Sequence, residues 1–392
     1  MNKKITFSVL LMAAFSAMMG LGVISPFLPE LIKEHHANGF WIGMIFAGYG
    51  ISRGLIMPFI GKRSDKTGRK IYVAGGLLLF AIVSLLYPRA NNIYELTLVR
   101  LIHGLSAGMI IPIVMAYVGD LAEEGREGVT ASTLNMMFYL GLASGPFLGG
   151  YISQTLGFDF VFHAMSGLGI ITFLIVVIFL PDIRNPAKKM TENSATYTFN
   201  NLIKHNFIKA ILISAFLITL TLTIFMSFLP SLAEKLNIDT KHIGIIIAVG
   251  LFVCGLLQIP FGKLSDRFDR FGKLIQIGSG TTICMFVLFS MPFCPDYSAL
   301  LITGCFLGLG TAVTTSALSS FSVGIGKRTG MGTWLSFFNA ATCTAFVITP
   351  ILSGIIMDYF GIDSVFYVFG LVTFFGILAS GYFITRRLNI VI

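Results

Sequence analysis

Gly61-Lys62-Arg63-Ser64-Asp65-Lys66-Thr67-Gly68-Arg69-Lys70 is a polar island between two apolar runs, residues 40–60 and 71–88. Its cations are crowded into ten residues while the runs beside it are nearly free of charge. The same contrast holds for all 392 residues: 55% are hydrophobic, only 11% are charged, and the mean hydropathy is +0.85. A soluble domain carries roughly 25% charged residues. So little charge cannot cover a globular surface, and lipid must be the solvent for most of this chain. Disorder, a disulfide scaffold and nucleic-acid reading are excluded. The net charge of +9 comes from short loops between apolar runs, as in membrane proteins.

Outward from the island, a spanning helix needs about 20 apolar residues. Twelve segments qualify: 5–29, 40–60, 71–88, 94–119, 129–153, 160–181, 207–233, 242–262, 274–292, 297–323, 331–356 and 364–385. They lack period-2 alternation, so they read as helices rather than barrel strands. The uncharged run from Ile5 to Pro29 is too long for a signal-peptide core and reads as a retained first helix. With the N-terminus inside, 21 of the 27 Lys and Arg fall on the inner side and four outside; Arg53 and Arg100 lie within helices. That bias predicts both termini in the cytoplasm. The expected organisation is 1–181, a cytoplasmic linker over 182–206, and 207–392. The linker is rich in Lys, Asn, Thr and Pro.

The island has a weaker copy, Gly262-Lys263-Leu264-Ser265-Asp266-Arg267, ending at Gly272-Lys273. Ile42-Gly43 opens the helix before the first and Ile243-Gly244 the helix before the second. Pro146, Gly150, Gly157, Asp159, Val161 and Phe162 match Pro350, Gly354, Gly361, Asp363, Val365 and Phe366 at one offset, as Asn135 matches Asn339. The repeat predicts an all-α protein of two six-helix halves in parallel topology, with a substrate held between them near the bilayer midplane.

The island, Gly61-x-x-x-Asp65-x-x-Gly68-Arg69-Lys70, resembles the signature loop of the major facilitator superfamily. Gly61 would let the helix end approach its neighbours, and Gly68 would permit the tight turn. Arg100-x-x-His103-Gly104 in the fourth helix resembles the superfamily's Arg motif, with His103 where the family usually has Gln. In the fifth helix, Gly141-x-x-x-Gly145-Pro146-x-x-Gly149-Gly150 resembles the pattern of the antiporter branches, drug:proton antiporters among them. The resemblance covers the whole chain. It implies the twelve-helix fold, alternating access, the proton gradient as driving force with no cofactor, and a charge cluster of Asp65, Arg69 and Asp120 that gates one state.

Arg53 lies about 18 Å into the second helix from Trp41, near the midplane of a core about 30 Å thick. Unpaired arginine there costs at least about 2.5–3.5 kcal/mol, so it should face a wet cavity. Arg100 and His103 share a face. All 18 acids lie in loops or near helix ends. Two intramembrane arginines without an intramembrane acid favour an anionic or zwitterionic substrate. Asn135, Thr219, Thr223, Gln258, Thr314, Thr315 and Asn339 are the non-ionic cavity candidates. The five cysteines have no metal or redox spacing, and no nucleophile–base set or phosphate loop points to an enzyme. The expected function is export of a small organic molecule by a monomeric carrier in the cytoplasmic membrane. The alternatives are an uptake symporter of the same fold and a non-transporting sensor or partner.

Overall fold

The computed structural model describes residues 3–27, 34, 37–121, 126–182, 205–329 and 331–385. Twelve long helices carry the chain: α1 Lys3–Gly22, α2 Gly39–Thr67, α3 Lys70–Ser84, α4 Ile93–Leu121, α5 Glu127–Leu156, α6 Phe158–Phe179, α7 Asn206–Ser227, α8 Thr240–Arg267, α9 Arg270–Ser290, α10 Tyr297–Thr329, α11 Met331–Phe360 and α12 Ile362–Thr385. Their order matches the twelve predicted segments. Most of the 182–206 linker lies outside the described residues.

Eleven helices among the described residues are long and apolar enough to cross a membrane. The twelfth, α5, has the length but not the apolarity, being rich in Gly, Ser and Thr. It packs chiefly against α8 and α1. Protein rather than lipid surrounds much of it, so small and weakly polar residues cost little there.

The repeat is visible in backbone geometry. Gly157 and Gly361, at matched positions, have φ of 94° and 82°. Each ends one helix and lets the next reverse within a single residue, a conformation that a Cβ would disfavour. The halves meet along two seams, α2 against α11 and α5 against α8. On both, a glycine opening one half's helix sits on a proline carbonyl of the other: Gly43 on Pro350 and Gly244 on Pro146. The matched Ile-Gly and Pro positions of the two copies thus face each other across the halves.

The fifth-helix motif has two faces. Gly141, Gly145 and Gly149 lie against the α1 backbone at Phe15, Met19 and Val23, while Pro146 and Gly150 lie against α8 at Gly244 and Lys241. The second half keeps the cross-seam pair, Pro350 and Gly354. It replaces the three glycines by the buried Ala345, Thr349 and Ser353.

Candidate functional site between the halves

The face carrying residues 61–70 and 263–273 is termed the loop face. There Arg69 donates to Asp120 at 2.8 Å, and its guanidinium lies 5.2 Å from the Tyr117 ring centroid. Tyr117 donates to the Pro181 carbonyl at 3.0 Å, so this hub ties α2, α4 and the end of α6 together. Gly68 has φ of 99°, and an added Cβ would collide with the Asp182 carboxylate. Lys70 opens α3. The close approach expected at Gly61 is not seen among the described residues, where a Cβ would meet nothing within 4 Å. The Asp65 side chain lies outside the described residues.

Across the seams, carboxylates bind helix N-termini. Asp266, ending α8, accepts from the Gly128 and Val129 amides at 2.8 and 3.0 Å on the loop face. Asp358, near the end of α11, accepts from the Gly39 and Phe40 amides at 2.6 and 3.0 Å on the opposite face. On that opposite face the Ser25 hydroxyl also donates to the Met226 carbonyl. Both faces are therefore bridged. Between the halves, toward the loop face, lies a cleft of about 50 Å³ lined by residues including Leu134, Asn135, Ser319 and Phe338. That space suits a few waters rather than a substrate.

Sequence-predicted site residues form two groups. In the first half, Arg100 is fully buried, with Phe46 and Tyr49 ring centroids 5.3 and 5.7 Å from its guanidinium. Its Nη1 lies 3.4 Å from the Tyr87 hydroxyl, which also bonds His103 Nδ1 at 2.8 Å. Arg100 Nε and Nη2, His103 Nε2 and the Tyr49 hydroxyl are buried with no partner among the described residues. Arg53, one turn beyond Tyr49 on α2, likewise has a buried Nε without a partner. No carboxylate among the described residues pairs with either arginine.

The second group bridges the halves. Asn135 of α5 donates to Ser319 of α10 at 2.8 Å and lies 3.5 Å from Gln258 Oε1 of α8. Gln258, fully buried, donates to Thr315 at 2.8 Å and accepts from Ser316 at 3.2 Å. Other candidates do not join. Thr219 and Thr223 donate to carbonyls one turn back in α7. Thr314 is corrected from cavity to packing residue, since its hydroxyl bonds the Gly310 carbonyl and faces Ile277 and Thr281 of α9. Asn339 is buried, and its carbonyl accepts from Thr342.

Tyr49, Tyr87, Ser319, Asp266 and Asp358 were missed as site residues. Asp266 had a signal, its place in the second copy of the island. Tyr87 had none, because it meets Arg100 and His103 from the end of a different helix.

Two overlapping matches to the family model of the Major Facilitator Superfamily, residues 10–294 and 211–389, cover nearly the whole chain. The chain belongs to that superfamily. It is a multi-pass membrane transporter, not an enzyme, and it resembles the drug:proton antiporter-like members. It is 27% identical over 365 residues, 91% of either chain, to the quinolone resistance protein NorA of Staphylococcus aureus strain COL. It is 24% identical over 362 residues to an uncharacterized MFS-type transporter of Methanocaldococcus jannaschii, covering 91% of this chain and 92% of that one. The crystal structure of the human organic anion transporter MFSD10 aligns with a TM-score of 0.76 at 15% identity, over 97% of this chain and 100% of that one. This last likeness is one of fold.

Proposed function

We propose that this superfamily member exports a small organic molecule bearing an anionic or zwitterionic group, exchanging it for protons by alternating access. Efflux as the direction is supported by the NorA likeness and by the fifth-helix motif. The observation that carries the substrate class is the acid-free pair Arg53 and Arg100. Both present buried guanidinium nitrogens without partners among the described residues, and a buried donor left unpaired costs about 1–3 kcal/mol. An arriving carboxylate recovers that cost, and its departure restores it, so binding stays reversible. Arg100 sits against aromatic faces, which stabilise the cation without neutralising it. The Asn135–Gln258–Ser319 network spans the halves and would rearrange as the cleft opens.

The loop face is assigned to the cytoplasm in this reading, with both termini and the 182–206 linker on the same side, following the Lys and Arg bias. The carrier acts as a monomer. The test is transport in inverted membrane vesicles energised with a proton gradient, acid inside. Accumulation of organic anions that collapses with the gradient is expected. Accumulation only in right-side-out vesicles would assign uptake instead. A reporter fused near Lys189 and active only outside the cell would overturn the topology.

A further inference from the structure

We propose that Tyr87 and His103 are positioning residues: they hold Arg100 by one nitrogen and leave one whole edge of its guanidinium for a carboxylate. The proposal rests on the anionic reading above and adds how the anion is held. A guanidinium has only donors. The contact between Arg100 Nη1 and the Tyr87 hydroxyl, long at 3.4 Å, therefore runs from Arg100 to Tyr87. The hydroxyl has one proton of its own to place. Its other hydrogen-bond contact among the described residues is His103 Nδ1 at 2.8 Å. If Nδ1 donated instead, the buried Tyr87 proton would have no acceptor, which is costly. So Nδ1 accepts, and His103 carries its proton on Nε2. The bonds run one way, from Arg100 to Tyr87 to His103.

Arg100 Nε and Nη2 remain, buried and without partners among the described residues. They are neighbours on one edge of the guanidinium, and such an edge grips a carboxylate through two parallel hydrogen bonds. Nη1, the nitrogen off that edge, is the one that meets Tyr87. A contact there restrains the planar fork from turning. Arg53 has Nε alone as a buried nitrogen without a partner among the described residues. The two-pronged grip is therefore assigned to Arg100, and Arg53 supplies charge.

Packing keeps the bonded groups in place. Around the His103 ring stand the rings of Phe80, Tyr49 and Tyr87, with centroids 5.4, 5.5 and 5.9 Å away. A Cβ on Gly20 of α1 would come within 2.7 Å of His103 Nε2, so the imidazole fills the notch that the glycine leaves. The Tyr87 ring stacks on Phe162 of α6 at 4.7 Å, with 12° between the planes. Both rings are confined, and the tyrosine oxygen stays where Nη1 meets it. Phe46 and Tyr49, whose rings lie against Arg100, also pack on Phe346 of α11 across the seam between the halves. Opening of that seam admits the anion to an edge that is buried in this conformation.

The test uses the full chain in nanodiscs, with benzoate as the carboxylate probe and benzamide as its neutral counterpart. Binding is read as the concentration that half-saturates the rise in unfolding midpoint. Wild type is expected to bind benzoate more tightly than benzamide. Tyr87→Phe, which deletes one oxygen and keeps the stacked ring, should weaken benzoate about fivefold and leave benzamide unchanged. His103→Leu should do the same. His103→Gln, whose amide oxygen can accept from Tyr87, should restore most of the affinity, and a Gln variant as weak as the Leu variant overturns the acceptor role. Wild-type benzoate affinity in Tyr87→Phe and His103→Leu overturns the positioning role and leaves the anionic reading intact. Equal losses for benzoate and benzamide also overturn it, since a collapsed site affects both probes. If wild type does not prefer benzoate, the anionic reading fails instead. Nitrogen NMR of histidine-labelled wild type then judges the positioning by itself, as it does if the variants do not fold. A proton on His103 Nε2 with an unprotonated Nδ1 supports it, and a proton on Nδ1 overturns it.

Discussion

Asp358 and Gly39 belong to opposite halves, yet the Asp358 carboxylate binds the N-terminus of α2 through the Gly39 amide at 2.6 Å, its other oxygen taking Phe40 at 3.0 Å. Asp266 does the same for Gly128 and Val129 of α5 on the loop face. The first half thus offers two helix N-termini, one per face, and the second half offers one carboxylate to each. An anion at a helix N-terminus stabilises by about 0.3–1 kcal/mol, more when partly buried. Alternating access must break one such contact while keeping the other, so the pair can bias the two states independently.

Asp358→Asn should therefore loosen the face opposite the loops. At about 1 kcal/mol the equilibrium moves roughly fivefold. Ile42 is buried near the same end of α2, so alkylation of an Ile42→Cys probe should speed by a similar factor. An unchanged rate would show that the contact does not restrain the seam. Asp266→Asn should leave that probe slow and instead speed labelling of a Ser132→Cys probe, since Ser132 is buried against Gly262 at the other seam.

For Arg53, charge and geometry separate by substitution. Arg53→Lys keeps the cation but loses the planar fork, so affinity for a carboxylate substrate should fall only partly. Arg53→Gln should lose about tenfold or more, with weaker salt dependence, while a neutral substrate is less affected. The readout is substrate affinity of purified protein. Equal affinities in all three proteins would make Arg53 structural and remove the anionic preference.

Gln258 joins α8 to Thr315 and Ser316 of α10 and approaches Asn135 of α5. Gln258→Leu keeps much of the volume and removes the polar contacts. Such contacts in membranes average about 0.6 kcal/mol, so thermal stability should drop little. Turnover should drop more, because the network crosses the surface along which the halves move. Equal fractional loss of folded protein and of turnover would assign Gln258 a packing role only.

The two glycine signatures should respond in opposite ways. Gly145→Val would drive a side chain into the α1 backbone at Met19 and Val23, and folded yield should fall sharply. Gly61→Ala meets nothing within 4 Å among the described residues and gains helix propensity of up to about 1 kcal/mol. Its transport and thermal midpoint should equal or exceed wild type. Loss of transport in a stable Gly61→Ala protein would show that another state brings a neighbour onto Gly61.

Much of the candidate site was legible before any coordinates. Arg53, Arg100 and the helix-four spacing stood out because charge is rare in apolar runs, so each exception is visible. Neutral polar residues gave a weaker signal. Thr219, Thr314 and Gln258 look alike in a string, since a threonine hydroxyl can satisfy itself on its own helix, whereas the longer Gln258 amide must find partners on other helices.

Taken alone, the sequence determined that the chain is a twelve-helix membrane protein of two repeated halves, because hydropathy, loop charge and matched glycines and prolines act along the chain and are written in it. It also isolated two arginines with no acid at their depth. Only the tertiary structure decided which helices form the seams, that Tyr87 joins Arg100 to His103, and that Asp358 reaches Gly39 across more than three hundred residues. Those pairings depend on how helices rotate and cross, which residue spacing within one helix cannot specify.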